Sequence, residues 1–377
     1  MISGPVRVSV FGKTDLGLAR EHNEDAFLVA DLSTRNASLQ AEVRDHVVGP
    51  KGSLFLVADG MGGAAAGELA SQMAADVIYT HLTTVWATEL ETSEDRFAYR
   101  MREAVELANH RIHEYAREHP ELRGMGTTAT VAGVYGDGLW LAQIGDSRAY
   151  LARNGDVVQL TRDQSLMQRL VDAGELTEEE AEQSERRNII LQALGPDPRV
   201  KVDISHQTLG RGDTLVLCSD GLSGQVRREE IAELVADYTE PVELCTALIN
   251  LANSRGGPDN ITVVVAQFDG DGLPERAAAN GFGYQVYRVP ESAAPTGERV
   301  VVRKTVETSQ PGAAESAKAD RTAADPPGAP PPADPRSEPA RNSPPAALSF
   351  ARKPGSLLIV GALVVLGILL LYIIATR

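Results

Sequence analysis

The sequence contains little cysteine, with only Cys218 and Cys245 among 377 residues. Two cysteines cannot form the disulfide framework of a small secreted protein, so this composition favours a reducing compartment. Cys218 lies within an apolar run, which predicts a core residue. No cysteines and histidines have the spacing of a zinc site, so a zinc-dependent function is not indicated.

The chain also lacks an excess of basic residues. Its formal net charge is -16 and its pI is about 4.9, which argues against nucleic acid as a partner because phosphates would repel the protein. The first residues do not combine a basic region with a following apolar region, so no secretory signal peptide is predicted.

One stretch of the sequence stands out, where the apolar run Leu54–Ala58 meets Asp59 and then a glycine-rich segment. A carboxylate buried in such a strand costs several kcal/mol unless a cation or a partner meets it. An Asp-Gly pair after a strand is commonly only a turn, and this alternative is open for Asp59 alone.

Other apolar runs also begin or end at carboxylates. The residues concerned are Asp25 before Ala26–Val29, Asp146 after Trp140–Ile144, Asp220 after Thr214–Cys218, and Asp259 before Ile261–Val265. Oxygen ligands of this kind suit hard cations such as Mg2+ or Mn2+. The repetition therefore predicts a metal cluster centred on Asp59.

The order of the elements indicates an α+β fold. Apolar residues at helical spacing predict long helices over 67–90 and 94–118, and Asn154-Gly155 predicts a hairpin between two strands. Residues 163–198 contain helix-start signals and form a predicted helical flap, whereas residues 32–52 are expected to be a polar hairpin loop. Short connections between strands favour antiparallel sheets. One domain is predicted over residues 1–270.

The C-terminal part of the chain differs in composition. About two-thirds of the 21 prolines lie beyond residue 271, and residues 271–355 are expected to be a Pro/Ala-rich disordered linker. The exception is Tyr284–Lys304, whose valines could pair transiently and for which the sequence suggests no function. About 19 residues without a charge follow the linker, enough to cross a bilayer as a helix, so residues 356–376 are predicted to be a transmembrane helix. Arg352 and Lys353 precede this run and favour a single-pass tail anchor in the cell (inner) membrane, with the N-terminal side of the helix cytoplasmic.

A series of short motifs carries a family resemblance over residues 5–268. In order along the chain they are Arg20–Asp25, Asp59–Gly63, Gly126–Thr128, Gly145–Arg148, Ser219–Gly221 and Asp259-Asn260. The series resembles the metal-dependent type 2C (PPM) Ser/Thr protein phosphatases in their bacterial form. The resemblance implies a four-layer αββα sandwich, in which two antiparallel sheets are flanked by helices.

The resemblance also implies a site for two Mn2+ or Mg2+ ions. It assigns the metal-binding residues as follows: Asp59 bridging both ions, Asp220 and Asp259 at the first, the Gly60 carbonyl at the second, Glu24 and Asp25 acting through water, and Asp146 with Asp220 at a third, weaker site. Arg20 matches the phosphate-binding arginine. A water activated by two cations would hydrolyse phosphoserine or phosphothreonine.

This sequence departs from the family pattern at one position of interest. Some members carry a histidine in or just after the Asp-Gly loop as a candidate acid for the leaving oxygen, where this chain has Met61 and Ala64. Either water or another residue such as His22 then protonates the leaving group, and water is favoured.

The expected partners are phosphorylated proteins, among them Ser/Thr kinases and their substrates, and a membrane through the C-terminal helix. A catalytically weak scaffold that binds phosphoproteins through the same fold is the alternative. In a third interpretation the acidic clusters bind cations only to stabilise the fold. The intact acidic set argues against the scaffold, and Arg20 argues against the third interpretation.

Overall fold

The computed structural model describes residues 4–275 and 283–295, apart from residues 185 and 187. Within this part of the chain, the strands form two antiparallel sheets. In spatial order, the first sheet contains β10 (Asp156–Gln159), β9 (Arg148–Arg153), β12 (Thr214–Cys218), β13 (Ile261–Asp269), β1 (Arg7–Asp15) and β4 (Asp45–Val47).

The second sheet lies face to face with the first. In spatial order, it contains β11 (Asp203–Thr208), β8 (Gly138–Ile144), β7 (Ala129–Tyr135), β5 (Ser53–Met61), β2 (Asp25–Asp31) and β3 (Asn36–Ala37), and β6 (Gly126–Thr127) pairs with the end of β5. The side chains alternate along β5, so Phe55 and Val57 pack between the sheets while Leu54 and Leu56 face the helices. Both faces of β5 are therefore buried, which explains its continuous apolar run.

The described residues also form helices. They are α1 (Ala41–Arg44), α2 (Ala64–Thr84), α3 (Glu94–Glu118), α4 (Leu166–Asp172), α5 (Glu178–Glu182), α6 (Asp220–Ser223), α7 (Arg228–Asp237) and α8 (Pro241–Ser254). The long helices α2 and α3 pack on the second sheet, and α7 and α8 pack on the first. The predicted α+β arrangement of two antiparallel sheets with helices is confirmed.

Local signals in the sequence account for several helix ends. Ser93 accepts a hydrogen bond from the Arg96 N–H at the start of α3, and Thr177 forms a reciprocal capping box with Glu180 at the start of α5. Residues 32–52 differ from the predicted polar loop, because they contain β3, α1 and β4. These elements span two to four residues each, too short to show a hydrophobic period.

Two predictions concern the cysteines and the membrane. Cys218 and Cys245 are both buried thiols without a disulfide, as expected for core residues. Among the described residues no helix has the length and apolar character needed to cross a membrane. The predicted span 356–376 and most of the predicted linker lie outside the described residues.

Candidate metal centre

The carboxylates singled out in the sequence meet at one end of the sandwich. Asp59 lies within β5, which continues to Met61 because Gly60 and Met61 pair with β6, so the residue is not part of a simple turn. Asp25 on β2 is the direct cross-strand partner of Asp59. Directly opposed residues in an antiparallel pair project from the same face, so both carboxylates point to the same side of the sheet.

The first sheet supplies the remaining carboxylates. Asp220 is the first residue of α6, which follows β12, and Asp259 precedes β13. The charges of Asp25, Asp220 and Asp146 all act on Asp59, and the Asp59 and Asp220 carboxyl groups are close enough to share a hydrogen bond. The structure therefore brings together carboxylates as far apart in the chain as Asp25 and Asp259, which are 234 positions apart.

Burial, together with the neighbouring carboxylates, raises the pKa values of Asp25, Asp59, Asp146 and Asp220. Burial raises the pKa of Asp59 well above the usual range, and the neighbouring carboxylates raise it further. Burial is also the main cause that raises the pKa of Asp25 and of Asp146 to about 7. Such an arrangement of like charges opposes folding near neutral pH unless a cation neutralises it.

Two buried oxygens show directly that the site suits a cation. Among the described residues, Asp146 Oδ1 and Asp220 Oδ1 are shielded from solvent and have no hydrogen-bond donor. A buried carboxylate oxygen without a donor costs free energy that a metal ion would offset. Their chemistry, hard oxygen donors only, fits Mn2+ or Mg2+.

The complete ligand set is nevertheless not preassembled. In the described part of the chain, no three His, Cys, Asp or Glu side chains already stand at the spacing of a metal site. One reason is that Asp259 Oδ2 accepts a hydrogen bond from Arg20 Nη2 at 2.7 Å. Asp25 Oδ2 likewise accepts hydrogen bonds from the hydroxyls of Ser219 at 2.8 Å and Thr262 at 2.7 Å.

Backbone contacts hold the predicted ligands Gly60 and Glu24 in place. The Gly60 N–H donates to the Glu24 carbonyl at 3.1 Å. A Cβ atom on Gly60 would lie 2.2 Å from the Gly67 carbonyl oxygen, and one on Gly67 would lie 1.9 Å from Glu24 Oε2. A side chain at position 60 would collide with backbone, whereas one at position 67 would displace the Glu24 carboxylate. Gly67 is therefore a supporting residue that sequence reasoning missed.

Buried hydroxyls fix the strand that carries Asp59. Thr128 Oγ1 accepts a hydrogen bond from the Asp59 N–H at 2.9 Å, and Thr127 Oγ1 donates to the Asp59 carbonyl at 2.9 Å. Thr128 also shares a 2.7 Å hydrogen bond with Ser147, the residue after Asp146. The Gly-Thr-Thr motif thus links the two segments that carry Asp59 and Asp146, a role that the sequence did not reveal.

A single asparagine fixes the loop that carries Arg20. Asn260 accepts a hydrogen bond from the Glu24 N–H at 2.8 Å and donates to the carbonyls of Leu16 at 3.0 Å and His22 at 2.9 Å. Arg20 is consequently held at the rim, with half of its side chain exposed. His22 lies on the same exposed loop.

The two ends of the predicted flap contact the acidic site. Asp163 accepts hydrogen bonds from the Arg148 guanidinium. The Gln164 N–H donates to the Gly145 carbonyl, and the Gln164 side-chain oxygen accepts from the Gly145 N–H. These contacts lie on either side of Asp146 in the sequence. At the other end, Leu194 pairs with Thr127, which supports Asp59. A movement of the flap would therefore displace residues that support Asp59 and Asp146.

We expect metal binding to stabilise the protein more at high pH than at low pH. Because the folded-state pKa of Asp25 and of Asp146 rises from 3.8 to about 7, stability without metal should fall as the pH increases from about 4 to about 7. Metal binds the deprotonated carboxylates, so protons compete with it below that range. Thermal unfolding with and without MnCl2, at about pH 5.5 and about pH 8, measures the effect. Equal increases in Tm at both pH values would contradict it.

Comparisons with known proteins agree with this geometry. The sequence model described as "Protein phosphatase 2C" matches residues 34–253. "Serine/threonine phosphatase stp" of Listeria monocytogenes is 37% identical over 259 residues, which cover 68% of this chain and 94% of that protein. "Serine/threonine protein phosphatase PstP" of Mycobacterium tuberculosis is 36% identical over 308 residues, covering 81% of this chain and 54% of that protein.

Solved structures show the same similarity. The crystal structure of the Mycobacterium tuberculosis serine/threonine phosphatase PstP/Ppp has a TM-score of 0.59 and 35% identity, covering 70% of this chain and 99% of that one. The PstP catalytic domain in complex with two manganese ions has a TM-score of 0.57 and 36% identity, with coverages of 70% and 99%.

Proposed function

Because this chain belongs to the protein phosphatase 2C family and is a metal-dependent protein-serine/threonine phosphatase, we propose that it hydrolyses phosphoserine and phosphothreonine at the acidic cluster around Asp59. The observation that carries the proposal is the convergence of Asp25, Asp59, Asp146 and Asp220, with two buried carboxylate oxygens that lack donors among the described residues. The expected substrates are phosphorylated proteins, including Ser/Thr kinases and their targets.

The proposed ligand set follows the family pattern. When bound, two Mn2+ or Mg2+ ions would lower the pKa of water and neutralise charge on the phosphoryl group. Asp59, Asp220 and Asp259 would hold the ions with the Gly60 carbonyl, while Glu24 and Asp25 would contribute through water and Asp146 would serve a third position. Ser219 and Thr262 keep the carboxylate of Asp25 in one orientation.

Arg20 is proposed to bind the phosphoryl group of the substrate. It lies at the rim, and within the described residues its side chain makes one hydrogen bond, from Nη2 to Asp259. The planar guanidinium can therefore present further N–H groups to phosphate oxygens, a geometry that favours arginine over lysine. His22 is exposed on the same loop, and the proposal retains water as the proton donor to the leaving group.

Replacing Arg20 by Ala is expected to weaken substrate binding more than metal binding. Loss of a charge-assisted hydrogen bond should raise KM for a phosphopeptide about 10- to 100-fold. Steady-state kinetics and a Mn2+ titration measure the two effects, with Arg228→Ala, on the exposed surface of α7, as the control. Unchanged kinetics would show that Arg20 serves only as an ion-pair partner of Asp259.

A direct assay distinguishes the proposed phosphatase from the alternative function, a catalytically weak scaffold. The full chain should release phosphate from p-nitrophenyl phosphate and from phosphopeptides when Mn2+ or Mg2+ is added, and EDTA should abolish the release. A scaffold would bind the phosphopeptides without releasing phosphate. No contact in the described residues specifically favours that alternative.

The domain organisation is also part of the proposal. We propose a phosphatase domain over 1–270, a linker over 271–355 in which residues 285–287 pair with β11, and a single-pass tail anchor over 356–376 in the cell membrane, with the catalytic domain cytoplasmic. The long uncharged apolar run after Arg352 and Lys353 supports the anchor. Removing residues 355–377 should shift the protein from the membrane fraction to the supernatant. Recovery of the intact chain in the supernatant would contradict the anchor.

A further inference from the structure

Residues 283–295, here called the edge segment, lie along the outer edge of the second sheet. Val286 forms an antiparallel bridge with Ser205 on β11. The His206 N–H donates to the Gln285 carbonyl at 3.0 Å, and the Tyr287 N–H donates to the Ile204 carbonyl at 2.7 Å. Two backbone groups on the outer side of β11, the His206 N–H and the Ile204 carbonyl, thus find partners in the same chain rather than lying on an unpaired edge.

The edge segment is anchored by one inward-facing aromatic residue. The Tyr287 ring lies 6.5 Å from the Trp140 ring and 5.8 Å from the His206 ring, measured between centroids. Its hydroxyl donates to Asp95 in the first turn of α3. Val286 faces the other way and is 58% exposed. Alternation of this kind is typical of a peptide added as a strand to a sheet edge.

A second tyrosine connects the edge segment to the flap. The Tyr284 hydroxyl donates to Asp203 Oδ2, on the first residue of β11, at 2.6 Å. Arg162 interacts electrostatically with both Tyr284 and Asp203, and its guanidinium forms an ion pair with Asp172 at the end of α4, the first helix of the flap. The edge segment, β11 and the flap therefore meet in one polar cluster.

We propose that the outer edge of β11 is a strand-acceptor surface whose ligand is the edge segment of this chain, and that its occupation holds α4 and the flap in place. The flap contacts the segments that carry Asp59 and Asp146, so release of the edge segment changes how substrate proteins are bound. This inference rests on the proposed function only for its effect on substrate binding.

Hydrogen–deuterium exchange of the full chain tests the physical part of the proposal without any catalysis. The double variant Tyr284→Ala/Tyr287→Ala should increase exchange about tenfold or more in β11 and in α4. The matched control is Val286→Ala, which shortens an exposed side chain of the same segment and should leave both regions unchanged. Unaltered exchange in β11 would overturn the acceptor surface.

A single variant separates docking from control of the flap. Tyr284→Phe removes only the hydroxyl bonded to Asp203, so exchange should increase in α4 while β11 stays protected. Exchange in α4 that stays at the wild-type rate in both Tyr284→Phe and the double variant would overturn the link to the flap. A synthetic peptide of residues 283–295 added to the double variant should restore protection of β11. Failure to restore it would contradict a strand-acceptor surface.

Kinetics then test the functional consequence. The double variant should change KM for a phosphopeptide about three- to tenfold, while kcat for the small substrate p-nitrophenyl phosphate stays within about twofold. If exchange in α4 increases but KM does not change, only the proposed effect on substrate binding is refuted. Absence of phosphatase activity in the wild-type chain would instead refute the proposed function, so the two failures are distinguishable.

Discussion

Replacing Asp59 by Asn is expected to reduce kcat/KM at least about 10³-fold, because the variant loses the carboxylate proposed to bridge both cations and with it several kcal/mol of transition-state stabilisation. Asp59 is the member of the cluster on which Asp25, Asp146 and Asp220 all act. The effect should be visible in initial rates with p-nitrophenyl phosphate at saturating Mn2+.

The same substitution should not destabilise the protein in the absence of metal. Burial and neighbouring charges raise the pKa of Asp59, so its ionisation opposes folding and a neutral amide relieves that repulsion. We expect an equal or higher Tm without Mn2+ and a much smaller increase in Tm with it. Asp76→Asn, an exposed position on α2, is the matched control. Retained activity or a lower metal-free Tm in Asp59→Asn would contradict the assignment.

Replacing Asp213 by Ala should have the opposite profile, a large loss of stability with little change in chemistry. Asp213 is fully buried and accepts hydrogen bonds from Arg153 Nε at 2.9 Å, from Arg153 Nη2 at 2.5 Å and from the Gly210 N–H at 2.7 Å. Removing one partner of a buried ion pair leaves an uncompensated charge, at a cost of about 3–5 kcal/mol. The pair lies where β9 ends and β12 begins, at the opposite end of these strands from Asp146 and Asp220.

Urea unfolding measures this loss, and kcat of the protein that remains folded measures the chemistry. Asp156→Ala, an exposed position at the start of β10, is the control and should cost less than about 0.5 kcal/mol. Replacing both partners with apolar residues, Arg153→Met/Asp213→Leu, should recover most of the stability. A loss of only about 1 kcal/mol in Asp213→Ala would mean that the buried pair contributes little.

Long periodic elements of the fold could be predicted from the sequence. The range Glu94–Glu118 for α3 and the capping box at Thr177 follow from local signals, and the structure shows both. The elements between residues 32 and 52 could not be predicted, because β3, α1 and β4 are ordered by tertiary pairing rather than by their own period.

In the candidate site, too, some features could be predicted from local sequence signals and others depend on the assembled fold. The carboxylates could be predicted because a charge at the end of an apolar run is locally anomalous. The bonds from Ser219 and Thr262 to Asp25, and from Arg20 to Asp259, join residues about 190 to 240 positions apart, so no local pattern carries them. The edge segment was also outside reach, since its role depends on an edge of the second sheet that only the assembled fold creates.

Crystals of the full chain grown with MnCl2, measured at the manganese absorption edge, test the central claim most directly. The account predicts anomalous peaks within about 2.5 Å of carboxylate oxygens of Asp59 and Asp220, with Asp259 rotated away from Arg20 to join them. An active enzyme whose manganese peaks lie elsewhere, with Asp59 contacting none of them, would contradict it.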